Sequence, residues 1–364
     1  MGRQVLITGG CGFIGSNFIR HWIQSHPEDR IINLDALTYA GNPDNLKKLS
    51  SSNYRFVHGN VCDQHLVDQL LQEKKIDTVV HFAAESHVDR SILGPDPFIS
   101  TNIVGTHTLL KAAKAAWCDA SSGESPGNDH SSPFRFIHVS TDEVYGSLGP
   151  SDPAFSETTA YAPNSPYSAS KAAADHLVRS YFHTYGLPAI VTNCSNNYGP
   201  YQYPEKLIPL CIINALEQKP IPVYGDGSNI RDWLFVQDHC SALEAVLLKG
   251  QPGEVYNIGG ECEVSNLDLV RTICDSVDRE VKPSRPSREL ITFVKDRPGH
   301  DKRYAMDITK IKRDLGWTPE HSLESGLEAT IRWYLDNTEW WKKLHNKDYR
   351  DYYELQYGNR SSAC

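Results

Sequence analysis

Tyr167 and Lys171 stand four residues apart in a segment whose sequence is typical of a helix start. Ser165 can cap this helix, and Pro166 suits its first position. At a spacing of four, both side chains lie on one helix face, so that the lysine ammonium can lower the pKa of the tyrosine. The phenolate could then take a proton from a hydroxyl group. Such pairs also arise by chance, and this one gains meaning only beside a cofactor motif.

A second group of chemically active residues is the acidic pair Asp142 and Glu143. The pair follows the apolar run 136–139, which predicts a buried strand, and open α/β sheets place ligands at the carboxyl ends of their strands. Two carboxyl groups could divide the work of an elimination, one removing a proton and the other protonating a departing hydroxyl. A solvated acidic pair in a loop is the common alternative.

A glycine-rich segment follows the first apolar run of the chain, with glycines at 9, 12 and 15 and also at 10, 12 and 15. Glycines at this spacing let the backbone approach a pyrophosphate, which the next helix meets with its N-terminal amides. Asp35 stands twenty residues beyond Gly15, where a carboxylate can accept both ribose hydroxyls of an adenosine and would repel a phosphate. The pattern therefore predicts NAD rather than NADP, with a plain glycine-rich turn as the alternative.

The elements that would position these residues are short β-rich runs alternating with longer helix-compatible segments. The predicted strands are 5–8, 31–34, 78–81, 136–139 and 189–192. Such alternation predicts an α/β fold with a Rossmann-like, doubly wound parallel sheet. Prolines become frequent after residue 200, which indicates a smaller C-terminal substrate-binding α/β region.

The expected organisation is a Rossmann domain over 1–200, which segments near 230–245 rejoin, followed by a mainly substrate-binding region over 201–350 and a tail over 351–364. The polar segment 119–132 is interpreted as a surface loop, and residues 358–364 as a frayed terminus.

Composition narrows the possible partners. The formal net charge of -9 offers no global positive field for a nucleic acid. Nine cysteines without a Cys-x-x-Cys pair favour reduced thiols over disulfides or a metal site. No apolar stretch approaches the length of a membrane span, and no signal peptide precedes the first strand. We therefore expect a cytoplasmic protein that binds no metal, membrane or nucleic acid.

Together, the glycine-rich start, Asp35 and the Tyr167 and Lys171 pair resemble the extended short-chain dehydrogenase/reductase family. The segments 140–146, 82–89 and 192–200 resemble its nucleotide-sugar dehydratase branch, and the resemblance extends from Val5 to about Tyr334. It implies a hydro-lyase that converts dTDP-glucose to dTDP-4-keto-6-deoxyglucose through transient reduction of NAD. It also implies a role in deoxysugar biosynthesis, on the route to rhamnose, and a homodimer formed through helices near 101–114 and 167–185.

The resemblance further implies a role for each catalytic residue. Tyr167, assisted by Lys171, removes the proton of the hydroxyl on sugar carbon 4, to which Thr141 hydrogen-bonds. Glu143 removes the hydrogen on carbon 5, and Asp142 protonates the hydroxyl that leaves carbon 6.

Binding residues are carried over from the same resemblance. The implied cofactor contacts are Gly9, Gly12, Phe13, Ile14, Gly15, Asp35, Ala36, Leu37, Thr38, Asn60, Val61, Phe82, Ala83, Ala84, Glu85, Ser86, Thr101, Tyr167, Lys171 and Asn197. The implied substrate contacts are Ser86, Thr141, Asp142, Glu143, Asn196, Lys206, Leu207, Pro222, Val223, Tyr224, Arg231, Asn266, Asp296, Arg297, Pro298, Gly299 and His300. Arg231 and Arg297 would clamp the diphosphate, because guanidinium groups bind phosphate oxygens in pairs. The family usually has Asp at position 60; Asn keeps a carbonyl acceptor, and we expect a modest effect on NAD affinity.

Alternatives remain at this stage. A UDP-sugar dehydratase or a 4-epimerase could use the same scaffold, and an epimerase would have no use for Asp142 and Glu143. A catalytically silent NAD-binding scaffold would be expected to lack one of the catalytic residues. No single residue distinguishes dTDP from UDP, so the thymidine assignment rests on the resemblance.

Overall fold

The first strand has the sequence QVLIT, a short run rich in β-branched and apolar residues that favour strands. The computed structural model describes residues 2–47, 49, 52–119, 133–345, 349, 353, 354 and 357. Its strands are β1 (Gln4–Thr8), β2 (Arg30–Asp35), β3 (Tyr54–His58), β4 (Thr78–His81), β5 (Arg135–Thr141), β6 (Ala189–Cys194), β7 (Asn196–Tyr198), β8 (Ile221–Tyr224), β9 (Ile230–Phe235), β10 (Val255–Ile258), β11 (Glu263–Ser265) and β12 (Ile291–Val294).

The helices connect these strands. They are α1 (Phe13–Ser25), α2 (Gln64–Glu73), α3 (Val88–Leu93), α4 (Asp96–Phe98), α5 (Thr106–Lys114), α6 (Pro166–Tyr185), α7 (Leu207–Leu216), α8 (Val236–Lys249), α9 (Asn266–Val281), α10 (Thr309–Leu315), α11 (Leu323–Asp336) and α12 (Thr338–Leu344). A π-helical stretch, Ile99–Gly105, joins α4 to α5, and a second one, Ala115–Asp119, follows α5.

Seven strands form one parallel sheet in the order β10-β6-β5-β4-β1-β2-β3. The order reverses direction between β1 and β4, and at such a switch point the loops after the two strands diverge and leave a crevice. This topology confirms the predicted doubly wound parallel sheet. All five strands expected from the sequence belong to it.

Helices cover both faces of the sheet because successive strand residues point to opposite sides. Val5 and Ile7 of β1 belong to one apolar cluster, with residues of α1, α8 and α10. Leu6, between them, belongs to a second cluster, with residues of α2, α5 and α6. The sheet is therefore buried on both faces, and its polar functions are left to the strand ends.

The second half of the chain builds a separate apolar cluster from α7, α9, α11 and the strands between them. Here β11, β9 and β7 form a three-stranded sheet, and β12 pairs with β8. The chain also returns to the large sheet, since α8 contacts α1 and β10 pairs with β6. The predicted domain limits, 1–200, 201–350 and 351–364, remain a prediction.

Two expectations fall on segments beyond those described. The polar loop 119–132 lies outside the described residues except for Asp119, and the terminus 358–364 lies outside them entirely. Within the described part of the chain, no helix has both the length and the apolar character that crossing a membrane requires.

Candidate active site

The glycine-rich loop turns sharply between β1 and α1. Gly9 has a φ of 72°, and a Cβ atom there would lie 2.7 Å from the Ala83 backbone. A Cβ on Gly15 would lie 2.4 Å from the carbonyl oxygen of Gly9. Helix α1 has no side-chain cap at Gly12, so its first amides have no side-chain acceptor, and residues 12–15 line the crevice. The loop is thus a cradle that fits a diphosphate.

Asp35, at the end of β2, is buried beside this loop. Its Oδ2 accepts a hydrogen bond from Cys11 N at 2.8 Å, and its Oδ1 accepts one from Leu37 N at 2.8 Å. Burial raises the pKa of Asp35, while the two backbone hydrogen bonds lower it. Each carboxylate oxygen has a second lone pair, so the group can still accept ribose hydroxyls.

Two adjoining cavities open at the carboxyl ends of the sheet strands, and the first has a volume of about 310 Å³. It is lined by the glycine-rich loop, Asp35, the acidic pair, Tyr167 and Lys171. The second lies over α7, β8 and the segment near Arg297. Both cavities are lined by Ser86, Glu143, Asn196, Asn197, Gln202, Glu205 and Lys206. A long ligand could therefore extend from one cavity into the other.

Helix α6 carries Tyr167 and Lys171 as the sequence predicted. It begins at Pro166, and Ser165 forms a reciprocal capping box with Ser168. Lys171 is buried, and its Nζ donates to Val139 O at 2.8 Å. Burial lowers the pKa of Lys171 to about 8.

The pKa of Tyr167 differs from the expectation that Lys171 lowers it. Burial, followed by the negative charge of Glu143, raises this pKa well above 10.0, and a hydrogen bond with Thr141 acts in the opposite direction. Removing the phenol from water disfavours its charged form more than a hydrogen bond can offset. Lys171 stands one turn farther along the same helix, where its ammonium donates to the Val139 carbonyl.

The acidic pair sits on the short helical turn Asp142–Tyr145 directly after β5. Thr141 caps the turn: its hydroxyl accepts from Glu143 N at 3.3 Å and donates to Asp142 Oδ1 at 3.2 Å. Burial and then Glu143 raise the pKa of Asp142 well above 3.8. Burial also raises the pKa of Glu143, but three cations oppose this, Arg297, Arg231 and Lys206. The surroundings therefore make the pKa values of the two carboxyl groups differ. Asp142 is the better candidate for a general acid.

Cations line the second cavity. Lys206 Nζ donates to Ser86 O at 3.0 Å, and Arg297 Nη1 lies 3.8 Å from Asp89 Oδ1. Arg231 Nη2 donates to Asp301 O at 2.9 Å, and its guanidinium lies 4.1 Å from the centroid of the Tyr304 ring. These contacts hold the positive groups in place, and guanidinium donors that remain can meet an anion.

Most of the predicted binding residues line these cavities. Of the expected cofactor contacts, all but Leu37 line the first cavity. Of the expected substrate contacts, all but Asp296, Pro298 and Gly299 line one of the two. Leu37 has a φ of 51° and packs against the apolar cluster under α1. Asp296 Oδ1 accepts from Arg297 N at 2.8 Å and lies 2.6 Å from His300 Nδ1, so it orients two lining residues.

Several lining residues were missed from the sequence. They include Tyr39, Gln202, Tyr203 and Glu205 in the first cavity and His87, Asp89, Tyr304 and Tyr357 in the second. His87 and Asp89 lie within the segment 82–89 that was singled out, so that motif was a usable signal. Tyr357 lies in the expected tail, where only the spacing of tyrosines 349, 353 and 357 hints at a helical stripe.

The parallel sheet, its glycine-rich loop and the buried tyrosine and lysine pair define the extended short-chain dehydrogenase/reductase class. The sequence profile of the GDP-mannose 4,6 dehydratase family matches residues 6–330. The chain belongs to this family.

Relatives within the family are close in sequence and structure. The dTDP-glucose 4,6-dehydratase of Salmonella typhimurium is 54% identical, over 98% of this chain and 99% of its own. The structure of the Bacillus anthracis enzyme of that name in complex with NAD is 47% identical, with a TM-score of 0.82, over 94% of this chain and 100% of that chain. The Streptomyces venezuelae enzyme of that name, solved with NAD and dTDP bound, is 45% identical, with a TM-score of 0.84, over 94% and 99%. These similarities confirm the resemblance and the fold class predicted from the sequence.

Proposed function

We propose that the protein is an NAD-dependent dTDP-glucose 4,6-dehydratase, a hydro-lyase that converts dTDP-glucose to dTDP-4-keto-6-deoxyglucose and water. The observation that supports this function most strongly is that two reactive pairs line the same cavity. Tyr167 and Lys171 line the first cavity together with Asp142 and Glu143, and Glu143 also lines the second. A 4-epimerase would need the first pair alone, whereas a dehydratase needs both.

The cofactor fits the first cavity because its cradle admits no side chain at Gly9 or Gly15 and ends beside Asp35. The amides at the start of α1 would hold the diphosphate, and Asp35 would accept the adenosine ribose hydroxyls. NAD, when bound, accepts the hydride from sugar carbon 4 and returns it to carbon 6.

Tyr167 begins the reaction by taking the proton of the carbon 4 hydroxyl. The Lys171 ammonium stabilises the phenolate, and the Thr141 hydroxyl orients the sugar oxygen. Because burial raises the pKa of Tyr167, the phenolate needs a nearby positive charge, which Lys171, one turn along α6, would supply.

Elimination then divides between the two carboxyls. The new ketone acidifies the hydrogen on carbon 5, which Glu143 removes as a base. Asp142, whose pKa is raised by burial and by the neighbouring Glu143, gives its proton to the hydroxyl leaving carbon 6. When hydride reaches carbon 6, the protonated Glu143 returns a proton to carbon 5. The electrostatics of the pair support this assignment, since nearby cations favour the ionised form of Glu143.

The second cavity would bind the nucleotide part of the substrate. Arg231 and Arg297 would clamp the diphosphate with paired donors, and Lys206 would add a third positive charge. Tyr224 offers an aromatic face for the thymine ring.

The function is tested by incubating the purified protein with dTDP-glucose in heavy water without added NAD and weighing the product. We expect loss of one water and uptake of one solvent deuterium, because Glu143 exchanges the carbon 5 hydrogen with solvent. Glu143→Gln should abolish both changes. An unchanged sugar, even after NAD and then UDP-glucose are supplied, would contradict the assignment.

We further propose that two copies form a homodimer through α5, α6 and the adjoining π-helical stretch. Large apolar side chains are exposed there: Val104 is 47% exposed, Ile99 46% and Tyr185 41%. Apolar groups on neighbouring helices suit a helix-to-helix interface between copies.

Light scattering tests the dimer. Val104→Glu should reduce the molar mass to that of one chain, whereas Phe293→Glu, an equally exposed apolar site at 47%, should leave it unchanged. A molar mass of one chain for the unaltered protein would exclude the dimer.

The cytoplasmic location also remains a prediction.

A further inference from the structure

Asp175 is a buried carboxylate that the mechanism above does not use. It lies on α6 one turn after Lys171 and is 4% exposed. It lines neither of the two cavities, so it does not touch substrate or cofactor there. A buried carboxylate is costly unless its partners compensate it, and those partners indicate what it does.

One oxygen of Asp175 joins the two reactive segments. Its Oδ2 accepts a hydrogen bond from Ser140 Oγ at 2.9 Å and another from Tyr161 OH at 3.0 Å. Ser140 is the residue immediately before Thr141, at the end of β5. The carboxylate therefore ties the strand that carries the acidic pair to the helix that carries Tyr167 and Lys171.

The other oxygen faces the buried lysine across a histidine. Asp175 Oδ1 lies 3.2 Å from His138 Nε2, and Lys171 Nζ lies 3.4 Å from the same nitrogen. Burial lowers the pKa of His138 well below 6.5, so the ring is neutral. The positive charge of Lys171 is thus balanced by Asp175 with an uncharged ring between them.

The charges of this pair support each other over a defined pH range. Burial lowers the pKa of Lys171 to about 8, and Asp175 opposes that change. Burial raises the pKa of Asp175 to about 6, and Lys171 opposes that change. Both groups are therefore ionised between about pH 6 and pH 8. Without the carboxylate, the ammonium would lose its proton at a lower pH.

Other titratable groups packed around this pair do not replace the negative charge. Burial raises the pKa values of the Tyr145 and Tyr161 phenols and raises that of the Cys194 thiol to about 12. The remaining groups near the pair are His81, His138 and His176, which cannot become anions. Asp142, farther along the turn after β5, has its pKa raised by burial.

We propose that Asp175 is a positioning residue that keeps Lys171 in its charged form and holds the turn bearing Asp142 and Glu143 against α6. The proposal rests on the proposed function, because it concerns the proton transfer that Tyr167 and Lys171 perform. Asp175 acts through these residues and does not meet the sugar.

The test isolates the first step by using dTDP-xylose. This sugar can be oxidised at carbon 4, but it lacks carbon 6 and therefore the hydroxyl that is eliminated. Reduced nicotinamide should accumulate. Its formation is followed by absorbance across the pH range for the unaltered holoenzyme and for Asp175→Asn. The asparagine has the same shape and can still accept from Ser140 and Tyr161, but it carries no charge.

We expect the rate of the unaltered enzyme to fall as Lys171 deprotonates at about pH 8. In Asp175→Asn this fall should move about one pH unit lower, because loss of a nearby anion lowers the pKa of an ammonium. The dissociation constant of NAD, titrated on the cofactor-free protein, should rise with pH and show the same displacement. This second measurement does not depend on turnover.

Three further variants separate charge from structure. Ser140→Ala removes one hydrogen bond and keeps the charge, so the pH at which the rate falls should not move. Asp238→Asn removes a buried carboxylate that bonds His321 and lines neither cavity, and it too should leave that pH unchanged. Asp175→Glu keeps the charge, and it replaces the asparagine variant in the test if that variant does not fold. Its oxidation rate should drop, while the pH dependence of the rate stays near that of the unaltered enzyme.

The proposal would be overturned if Asp175→Asn lowered the oxidation rate without shifting the pH dependence of that rate or of the NAD dissociation constant. An equal displacement in Asp238→Asn or in Asp175→Glu would overturn it as well. Failure of the unaltered enzyme to oxidise dTDP-xylose and dehydrate dTDP-glucose would instead reject the proposed function, and the NAD titration would still decide whether Asp175 sustains the Lys171 charge.

Discussion

At the scale of single residues, the site relies on two adjacent carboxyls with different surroundings. Asp142 is enclosed next to the carboxylate of Glu143, whereas Glu143 faces the cations of both cavities. Like charges disfavour ionisation and opposite charges favour it. Two adjacent acidic residues of similar intrinsic pKa can therefore serve as acid and base in the same turnover.

Asp142→Asn should stabilise the protein increasingly as pH rises. The pKa of Asp142 is higher in the folded state than in the unfolded one, so its contribution to stability is full below about pH 3.8 and is lost as pH rises toward the folded pKa. Asparagine avoids that loss, and its midpoint of thermal unfolding should exceed that of the unaltered protein by about 2 °C or more at pH 8 and by less at pH 5.

Calorimetry at the two pH values measures this difference. Dehydration of dTDP-glucose by the same variant should fall by about 100-fold or more, because the general acid is missing. A stability difference that does not change with pH would show that Asp142 is ionised in the folded protein.

Asp35→Ala should weaken NAD binding by about 10- to 100-fold, the range expected when hydrogen bonds to a charged group are lost. The change also releases Cys11 N and Leu37 N, which shape the loop. Isothermal titration of the cofactor-free protein measures the affinity. Asp63→Ala, which removes the acidic cap of α2, is the matched control and should bind NAD as the unaltered protein does. Equal affinities for Asp35→Ala and Asp63→Ala would rule out the ribose role.

At the scale of elements, the phosphate loop depends on how closely α1 approaches β1. Gly15→Ala would place a Cβ 2.4 Å from the Gly9 carbonyl and 2.8 Å from Gly10 Cα, and neither backbone atom can move aside cheaply. We expect NAD affinity to fall at least about 10-fold and the unfolding midpoint to drop, since overpacking costs about 1–3 kcal/mol. Gly94→Ala meets nothing within 4 Å and should leave both quantities unchanged. Full NAD affinity in Gly15→Ala would mean that α1 can shift without disturbing the site.

Elements whose signals are local could be predicted from the sequence. The glycine-rich loop, the start of α6 at Ser165 and Pro166, and five sheet strands each follow from residues close together in the chain. In the large sheet, strands β3 and β10 were not predicted, and neither were the strands of the two smaller sheets. β3 is an edge strand with exposed side chains, and β10 joins β6 only after the chain has passed through the second region. Long-range pairing of this kind leaves little trace in local sequence.

The same distinction holds for the site. Residues inside motifs, such as Asp35 and Glu143, were found because the chemistry demands those residue types at that spacing. Tyr304 and Gln202 line the cavities only because distant segments pack together. Asp175 looks like an ordinary helix residue until the structure shows it beneath Ser140.

At the scale of the whole molecule, the net charge of -9 contrasts with the cations that line the second cavity. The proposed anionic substrate would be met by local groups held on separate segments, with Lys206 before α7 and Arg231 on β9. The fold brings these charges together, and a summed charge gives no sign of it.

One residue of the expected tail over 351–364, Tyr357, contributes to the wall of this cavity. Tyr357 lines the cavity, and its ring lies over that of Tyr224, with centroids 6.0 Å apart and planes 26° apart. Tyr353 and Tyr357 are also in contact, at 4.9 Å between centroids. Tyr349 reaches Tyr203 of the first cavity, at 6.4 Å. Tyr349 and Tyr357 therefore each contact a residue that lines one of the two cavities.

Tyr357→Ala should raise the KM for dTDP-glucose about tenfold and leave kcat nearly unchanged, because an aromatic contact of this kind contributes about 0.5–1.5 kcal/mol and lies away from the reacting carbons. Steady-state kinetics on the full-length holoenzyme measure both constants. Tyr357→Phe keeps the ring and should retain the original KM, which separates stacking from any role of the hydroxyl. A fall in kcat with unchanged KM in Tyr357→Ala would place the tyrosine's influence on the chemical steps, and an unchanged KM in both variants would mean that the substrate binds without help from Tyr357.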